Sequence, residues 1–455
     1  MLKKLLLVAA AIHLLPVGLF AWEATGWKAG LAKVVITPRQ SIWLSGYGAR
    51  TKPSEGTSQE LYAKALALED STGYRAVLVT TDLVGMPATV SRNITERVQQ
   101  RYHLPRDRVL LNFSHTHAGP MVGRMFPVGF LLTDADWAVV DDYTPQLEGL
   151  VVKVIGQALK RLEPARVGFT HTSAGFGANR RRKTDKGYDI GLNKNGPVDH
   201  DVPVLQITGK RGNLLGLVFG YACHNTTIGG NYYQFNGDYA GYAQKWLEDH
   251  HPGATAMFVN GCGADADPFP RGSVDLARQH GEELASAVEK TVGQTVQPIR
   301  GPLKSAWEEF PVDFATPPSR EEWRARLASD DKDIRLHAEL MLKALDRDGR
   351  LPSKYPYPLQ VWQFGSDLTL VAMSGECVVD YTLRLKQELG ERGLWVAGYS
   401  NDVFAYIPSL RVLREGGYEA GGANIYYGQP GPFAPSIEET IIKKVHEVVA
   451  RLRAK

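Results

Sequence analysis

One pattern recurs five times along the 455-residue sequence: an apolar run typical of a buried β-strand leads into residues that can take part in chemistry. The five runs occupy residues 109–113, 214–222, 256–259, 368–373 and 394–398. Stretches with helical spacing, such as Ala88 to Tyr102, occur between strand-like runs, which predicts an α/β fold with a mixed β-sheet core flanked by helices. In such folds ligands bind beyond the carboxyl ends of the strands, so we expect the side chains after the runs to share one site.

Two histidines follow the first run. His115 and His117 are two residues apart, and in an extended chain such positions point to the same face. Later runs lead into His224, into Glu376 and, a few residues after the last run, into Tyr406. Two imidazoles and one carboxylate form a ligand set that holds a catalytic zinc ion and leaves one position for water. We therefore expect a metal site at the carboxyl ends of the strands.

The chemistry of this ligand set predicts hydrolysis of an amide or an ester, because a bound metal activates water and polarises the carbonyl under attack. His115, His224 and Glu376 are the candidate ligands from the residues alone. Tyr406 is either a fourth ligand or a stabiliser of the oxyanion, and His117 is a candidate for proton transfer to the leaving amine. Ligands this far apart cannot be verified by spacing, so a pair of hydrogen-bonded histidines in a polar turn stays open as the alternative.

Several other polar residues have a structural interpretation. Asp238 precedes a helical stretch and is expected to cap it. Asp265 and Asp267 are expected to cap the helix predicted from about Ser273 to Thr291. The basic cluster from Asn179 to Lys183 lies in a glycine-rich stretch between predicted strands, where it is either a solvated face or presents one arginine to the cleft.

The charge balance and the cysteine content exclude some classes of protein. The formal net charge is +3, from 52 basic and 49 acidic residues, and no long basic run interleaved with aromatic residues is present, so no nucleic-acid partner is predicted. The three cysteines, Cys223, Cys262 and Cys377, are too few and too scattered for a disulfide framework. We expect them to be buried and free, and we predict no protein partner.

The first 22 residues have the composition of an export signal. Lys3 and Lys4 precede an apolar run from Leu5 to Trp22, which is typical of a secretory signal. Ala21 is a candidate for the residue before cleavage, and an uncleaved N-terminal anchor is the alternative. The protein is therefore expected to be exported, to the periplasm or the extracellular space.

Two further stretches stand out by composition. Residues 316–357 are highly charged with apolar residues at helical spacing, and they are interpreted as a helical insertion that packs outside the sheet or acts as a lid. Residues 121–132, directly after the paired histidines, are mostly apolar and contain glycine and proline. They are either ordinary core or the lining of a tunnel for an acyl chain.

Taken together, a set of ordered motifs resembles the neutral/alkaline, non-lysosomal ceramidase family in its N-terminal catalytic domain. The motifs are TTDL at 80–83, SHTHAGP at 114–120, NRRR at 179–182, YACHNTT at 221–227, GDYAGY at 237–242, SGE at 374–376, NDVFAYIPS at 401–409 and YEAGGANIYYG at 418–428. SHTHAGP is the most specific single match, and the ordered set is much more specific than any of its members.

The resemblance implies roles for individual residues. It implies that a zinc ion is held by four side chains: His115, His224, Glu376 and Tyr406. It further implies that His117, Arg180 and Tyr418 grip the substrate and polarise its amide. The implied activity is cleavage of the N-acyl bond of ceramide to a fatty acid and a sphingoid base, hence a lipid-like N-acyl substrate that is met at a membrane surface.

Two departures from the family bear on the substrate. Enzymes of the family carry a further C-terminal β-sandwich domain, whereas residues 23–455 are expected to form a single catalytic domain without one. The insertion at 316–357 is also unlike the family. Two alternatives therefore stand beside ceramide hydrolysis: a hydrolase of another acyl amide or ester on the same scaffold, and a catalytically silent exported protein that binds a lipid or a glycan.

Overall fold

Two β-sheets packed face to face form the centre of the protein in the computed structural model, which describes residues 26–294 and 296–454. The prediction of an export signal or anchor at residues 1–22 lies outside the described residues. Within the described part, no helix is long and apolar enough to cross a membrane.

The strands of the described chain, in sequence order, are β1 (Trp27–Val35), β2 (Gly56–Thr57), β3 (Tyr62–Glu69), β4 (Arg75–Thr81), β5 (Val109–Phe113), β6 (Glu163–Ser173), β7 (Gly177–Thr184), β8 (Gly187–Asn193), β9 (Asp201–Gly209), β10 (Leu214–Tyr221), β11 (Gln234–Phe235), β12 (Thr255–Asn260), β13 (Ala266–Pro268), β14 (Gln297–Pro298), β15 (Leu303–Asp313), β16 (Lys354–Phe364), β17 (Leu368–Met373), β18 (Glu376–Cys377), β19 (Leu394–Ala397) and β20 (Tyr406–Ile407).

The helices are α1 (Ala88–Tyr102), α2 (Asp134–Lys160), α3 (Asp238–His250), α4 (Val274–Glu289), α5 (Arg320–Arg326), α6 (Lys332–Asp348), α7 (Asp380–Leu389), α8 (Leu410–Glu415) and α9 (Ile437–Ala454). Two short 3-10 helices lie at Arg106–Arg108 and Gly422–Ile425.

The larger sheet is mixed, as the sequence predicts. Its strands lie in the order β12-β10-β9-β6-β1-β3-β4-β5, with β14 paired to β6. The β10–β12 and β4–β5 pairs are parallel, and the other neighbours in that order are antiparallel. The smaller sheet has the order β15-β16-β17-β19, and its β17–β19 pair is parallel.

The hydrophobic core between the sheets follows from the two-residue repeat of the strands. In β3, Leu66 and Leu68 belong to the core between the sheets, where they share a cluster with Trp362 and Leu370 of the smaller sheet. The alternate alanines of β3 belong instead to the cluster that includes residues of α1 and α2. Because strand side chains alternate between faces, one strand can contribute to both apolar layers.

Asn112 of β5 joins the carboxyl ends of three strands. Its Nδ2 donates to the carbonyl of Gly398, after β19, at 2.8 Å. Its Oδ1 accepts from the backbone N–H of Asn260, the last residue of β12, at 2.8 Å. This buried amide therefore holds β5, β12 and β19 together across the two sheets, and it brings the residues that follow them into one region.

The charged stretch 316–357, predicted to be a helical insertion, forms α5 and α6 around a small core, whereas its last four residues belong to β16 and are not helical. Trp323 is fully buried against Ala338 and Met341 of α6. The Nε2 atom of His337 lies 2.8 Å from the carbonyl oxygen of Gln429, and α6 contacts the 3-10 helix at Gly422–Ile425. The insertion therefore packs against the segment that follows Tyr418.

Thr133 and Asp136 form a reciprocal capping box at the start of α2. One local prediction was wrong. The basic cluster from Asn179 to Lys183 lies on β7, not in a loop between strands. Three buried residues of this strand, Asn179, Arg180 and Arg181, are polar, and an apolar pattern therefore could not reveal it.

Candidate metal centre

His115 and His117 approach each other through a sharp turn beyond β5. The strand ends at Phe113, and His115 has a φ of 63°, in the left-handed region. The backbone N–H of His115 donates to the carbonyl of Leu83 at 2.8 Å, which fixes the turn. The extended geometry expected for this pair is therefore wrong, although the two Nε2 atoms do lie 3.1 Å apart.

The four predicted metal ligands lie together. Glu376 Oε2 is 3.1 Å from His115 Nε2 and 3.2 Å from His224 Nε2. The Tyr406 hydroxyl is 3.2 Å from His224 Nε2, and Tyr406 pairs with Glu376 in the short parallel ladder of β18 and β20. All four side chains are buried, so the cluster is shielded from water on most sides.

The hydrogen bonds of the two buried imidazoles indicate what lies between them. His115 Nδ1 is 2.6 Å from the carbonyl oxygen of Val84, and His224 Nδ1 is 2.9 Å from that of Gly263. A carbonyl oxygen only accepts, so in the neutral imidazoles the proton is on Nδ1 and the Nε2 lone pairs face the Glu376 carboxylate. Two imidazole lone pairs and a carboxylate oxygen that converge on one point, with the Tyr406 hydroxyl beside them, are a donor set that fits a bound metal ion.

The titration behaviour of the cluster agrees with this arrangement. Burial acts to raise the pKa of Glu376, but the adjacent imidazoles of His115 and His224 outweigh it and hold that pKa well below its usual range. Burial lowers the pKa of His224. An ionised carboxylate and a neutral imidazole are the forms that bind metals.

His117 lies beside the cluster, and both its hydrogen bonding and its pKa are unusual. Within the described part of the chain, no hydrogen-bond partner reaches its buried Nδ1. Burial and the neighbouring His115 imidazole lower its pKa well below the ordinary value. The Arg50 guanidinium donates to the His117 carbonyl at 2.7 Å, and Tyr47 packs edge-on against the His117 ring.

Nitrogen atoms of His115, His117 and His224 lie within 4.8 Å of one another, so the geometry also allows a three-histidine metal site.

The glycine-rich turn before β2 makes room for His117. Gly46 has a φ of 92°, and a Cβ added there would lie 2.3 Å from Cγ of the His117 ring. A side chain at this position would have to displace the imidazole. The turn is therefore glycine-rich because the backbone passes directly over a site residue.

Of the three arginines in the basic cluster, Arg180 is the one that faces the metal centre. Its Nη2 donates to the Tyr406 hydroxyl at 3.0 Å, and its Nε donates to Glu419 at 2.8 Å. Arg181 is buried and pairs with Glu419, whereas Arg182 is exposed and pairs with Asp189. Arg180 lines the cavity, as one of the two interpretations predicts, and the solvated-face interpretation holds for Arg182 and Lys183.

Asp267 is part of the site and does not cap a helix. It accepts from Arg180 Nη1 at 3.2 Å and from the Thr226 hydroxyl at 3.1 Å, and it also pairs with Arg271. Ser273 caps α4 instead, accepting from the backbone N–H of Leu276. Asp267 therefore holds Arg180 in position, a role that the sequence did not reveal.

The capping roles predicted for two other aspartates are also wrong. Gly237 occupies the N-cap of α3, and the Asp238 carboxylate accepts from the backbone N–H of Ile228 at 2.9 Å. Asp265 accepts from the backbone N–H of Val379 at 2.8 Å, and burial raises its pKa to about 6. Asp238 therefore ties the start of α3 to the segment that precedes it, and Asp265 joins segments that are distant in the sequence.

Tyr427 is a site residue that the sequence analysis missed. Its hydroxyl donates to Glu376 Oε1, so the other carboxylate oxygen, Oε2, is left to face the two imidazoles. Tyr427 is buried and lies within the YEAGGANIYYG segment that also carries Tyr418. An aromatic pair at Tyr426 and Tyr427 in a glycine-rich segment was the available signal, but nothing in its spacing pointed to Glu376.

The candidate metal centre opens into a cavity of about 590 Å³. Its walls are largely aromatic or apolar and include Tyr47, Phe126, Phe130, Ile190, Tyr418 and Tyr426. Met121, Val122 and Met125 of the apolar 121–132 stretch are buried in the core, while Phe126 and Phe130 line the cavity. The core interpretation is therefore correct for part of the stretch, and another part lines a cavity; that this cavity takes an acyl chain stays a prediction.

Comparison with known proteins gives concordant matches. The model of a family described as neutral/alkaline non-lysosomal ceramidase, N-terminal, matches residues 27–305. A neutral ceramidase of Pseudomonas aeruginosa is 26% identical over 322 residues, which is 65% of this chain and 46% of that protein. A neutral ceramidase of Drosophila melanogaster is 25% identical over 236 residues, 50% of this chain and 32% of that protein. The chain spans less than half the length of these curated relatives.

A solved structure shares the fold. The crystal structure of neutral ceramidase from Pseudomonas aeruginosa superposes with a TM-score of 0.73 and 19% sequence identity, covering 94% of this chain and 75% of that one. The predicted fold class, a mixed sheet flanked by helices, is thereby confirmed.

Proposed function

Since the chain belongs to the neutral/alkaline non-lysosomal ceramidase family, we propose that it is a zinc-dependent amidohydrolase that cleaves the N-acyl bond of ceramide. Water and the amide give a fatty acid and a sphingoid base. The observation that carries the proposal is the convergence of His115, His224, Glu376 and Tyr406 at one end of an aromatic cavity.

Zinc is the metal that this donor set suits best. Two imidazole nitrogens, one carboxylate and one phenol oxygen are nitrogen and oxygen ligands of the kind found in catalytic zinc sites. When bound there, the ion lowers the pKa of a water molecule and polarises the amide carbonyl. The residues that would hold it are His115, His224, Glu376 and Tyr406.

The remaining site residues bind the substrate and move a proton. His117 lines the cavity beside the ligands as a partly buried imidazole, and its role is to pass a proton to the nitrogen of the leaving amine. Arg180 donates to the Tyr406 hydroxyl and places a positive charge where negative charge develops on the amide oxygen. The Tyr418 ring packs 5.3 Å from that of Tyr406 and helps to exclude water.

The shape of the cavity supports a substrate with an acyl chain. Phe126 and Phe130 line the cavity with Tyr426, and these rings offer apolar contact to methylene groups. The composition of residues 1–22 supports export, with the protein either released by cleavage or held by an uncleaved anchor.

A second candidate keeps the chemistry and changes the substrate. The helical insertion contributes Lys332 and Asp333 to the cavity lining, so polar groups of both signs lie near its opening. Such groups suit an N-acyl compound with a charged or strongly polar amine part. This candidate is a hydrolase of a non-ceramide acyl amide on the same scaffold.

Metal analysis and substrate hydrolysis test the proposal together. We expect the purified protein to contain about one zinc ion and to release fatty acid from ceramide, and we expect a chelator to abolish that release. The measurements are elemental analysis and chromatography of the released acid, with other N-acyl amides and esters assayed in parallel.

The outcomes separate the candidates. Protein that binds no metal, with its histidines intact, would contradict the zinc proposal. Zinc without ceramide turnover, together with hydrolysis of another N-acyl amide, would favour the second candidate. Zinc and bound lipid with no hydrolysis of any substrate would favour a catalytically silent binding protein.

Removal of the Tyr427 hydroxyl tests how the carboxylate is held. We expect Tyr427→Phe to weaken zinc binding by about 10- to 100-fold, as is usual when a group that orients a ligand is lost. The physical reason is that Glu376 Oε1 loses its buried donor, so the carboxylate is free to rotate. Competition with a chelating dye measures the affinity.

Tyr426→Phe is the matched control, because this neighbouring tyrosine also lines the cavity but is partly exposed. We expect it to leave zinc affinity unchanged. Equal affinities for wild type and Tyr427→Phe would show that Tyr427 does not position the ligand.

A further inference from the structure

The most exposed large apolar side chains of the described residues belong to three separate segments. They are Leu131 (61% exposed), Phe269 (49%) and Ile190 (47%). Leu131 precedes α2, Phe269 follows β13, and Ile190 lies on β8. Exposing large apolar side chains to water is unfavourable in free energy. Where several such residues lie together on a surface, they mark an interaction site.

One of the three residues lines the cavity, and the other two lie next to lining residues in the sequence. Ile190 is the lining residue. Leu131 directly follows Phe130, and Phe269 lies between Asp267 and Arg271, all of which line the cavity. By contrast, the exposed apolar residues Val35 and Leu383 lie at the end of β1 and on α7. Leu131, Ile190 and Phe269 therefore combine high exposure with a place on, or next to, the residues that line the cavity.

We propose that Leu131, Ile190 and Phe269 form a docking surface that inserts into the surface of a lipid bilayer. This proposal rests on the proposed function, because its purpose is to let a lipid substrate pass from the bilayer into the cavity without crossing water. Binding of this kind scales with the apolar area that is buried in the interface.

The charges of the opening favour a zwitterionic bilayer. The cavity lining carries charged side chains of both signs in balance, the basic Arg180, Arg271 and Lys332 and the acidic Asp267, Asp333 and Glu376. Groups of both signs match a phosphocholine headgroup, which also carries both. Docking on a phosphatidylcholine surface therefore needs no anionic lipid.

A second copy of the chain is a poorer occupant. A specific protein interface buries roughly 800 Å² on each partner and needs a continuous complementary patch. Three apolar side chains on separate segments cannot supply that area alone, whereas each can enter a fluid lipid surface independently. The arrangement therefore suits a bilayer better than a folded partner.

Depth-dependent fluorescence quenching tests the surface directly. The three native cysteines are buried, so a fluorophore can be attached selectively to Leu131→Cys or Phe269→Cys of the full chain. With phosphatidylcholine vesicles that carry nitroxide-labelled acyl chains, we expect quenching of at least about twofold at both positions. Leu383→Cys is the control and is expected to stay unquenched, whatever residues 1–22 do at the membrane.

Hydrolysis measurements separate docking from catalysis. We expect Leu131→Ser/Phe269→Ser to cleave ceramide in vesicles at least about 10-fold more slowly than wild type, because less apolar area enters the bilayer. Cleavage of a short-chain, water-soluble ceramide is expected to stay unchanged. Val35→Ser/Leu383→Ser should match wild type on both substrates.

Each result has a definite meaning. Absent quenching at positions 131 and 269, or equal quenching at 383, would overturn the docking surface. The docking surface would also be overturned if the double variant lost self-association in sedimentation experiments rather than vesicle turnover. Quenching without hydrolysis of either ceramide by the wild type would leave the docking surface standing and overturn the proposed function.

Discussion

The His224→Ala variant is expected to lose its bound zinc and at least about 1,000-fold of its hydrolytic rate, because the several kcal/mol that a metal contributes to the transition state disappear with it. His224 lies in the middle of the cluster, with Nε2 3.2 Å from both Glu376 Oε2 and the Tyr406 hydroxyl. Its Nδ1 lies 2.9 Å from the Gly263 carbonyl oxygen, so the ring is already oriented for a ligand. Elemental analysis and initial rates of fatty-acid release measure the two losses.

His280→Ala controls for the loss of a buried ring. His280 is buried outside the cluster, and its Nε2 lies 2.7 Å from the Pro270 carbonyl oxygen. Both variants create a cavity and lower thermal stability, but His280→Ala should keep its zinc and its rate. A His224→Ala protein with a full equivalent of zinc and wild-type rate would exclude His224 as a ligand.

The approach of His115, His224 and Glu376 could be predicted from the sequence for a simple reason. Each follows an apolar run, and ligand sites in α/β folds lie beyond the carboxyl ends of strands. What could not be predicted is that β5 and β10 lie towards opposite ends of the larger sheet and that β17 belongs to the smaller one. The amide of Asn112 connects those sheets, and its partners are 148 and 286 residues away.

The positions of Asp267 and Tyr427 could not be predicted, because their partners are distant in the chain. Asp267 pairs with Arg180, and Tyr427 pairs with Glu376. In each pair, other helices and strands lie between the two residues in the sequence. Local pattern favoured a helix cap for Asp267, since it lies a few residues before α4. The hydroxyl of Ser273 occupies that cap, so the carboxylate is available for the site.

The local geometry of the paired histidines depends on a backbone detail that spacing does not contain. An extended chain would place both rings on one face, but the left-handed conformation of His115 ends that geometry. The rings still meet because Leu83 fixes the turn and Gly46 leaves space for the second ring. The spacing therefore predicted correctly that the two rings lie close together. It predicted the wrong backbone conformation for the segment that brings them together.

The division of roles between the two histidines is tested by His117→Ala. We expect this variant to retain zinc and to lose about 100- to 10,000-fold in rate, the range for loss of a proton-transfer group. Zinc should stay because the proposed ligands His115, His224, Glu376 and Tyr406 remain. The turn should also persist, since Arg50 binds the backbone carbonyl of residue 117 and not its side chain.

The geometry makes this experiment decisive, because His117 Nε2 is as close to His115 Nε2 as Glu376 Oε2 is, at 3.1 Å. If His117→Ala loses zinc to the same extent as His224→Ala, then His117 is a ligand and the centre is a three-histidine site. If zinc remains and the rate on a substrate with a better leaving amine recovers, the lost step is proton delivery to that amine. A proton donor is needed less as the leaving group becomes less basic, whereas a metal ligand is needed equally for every substrate.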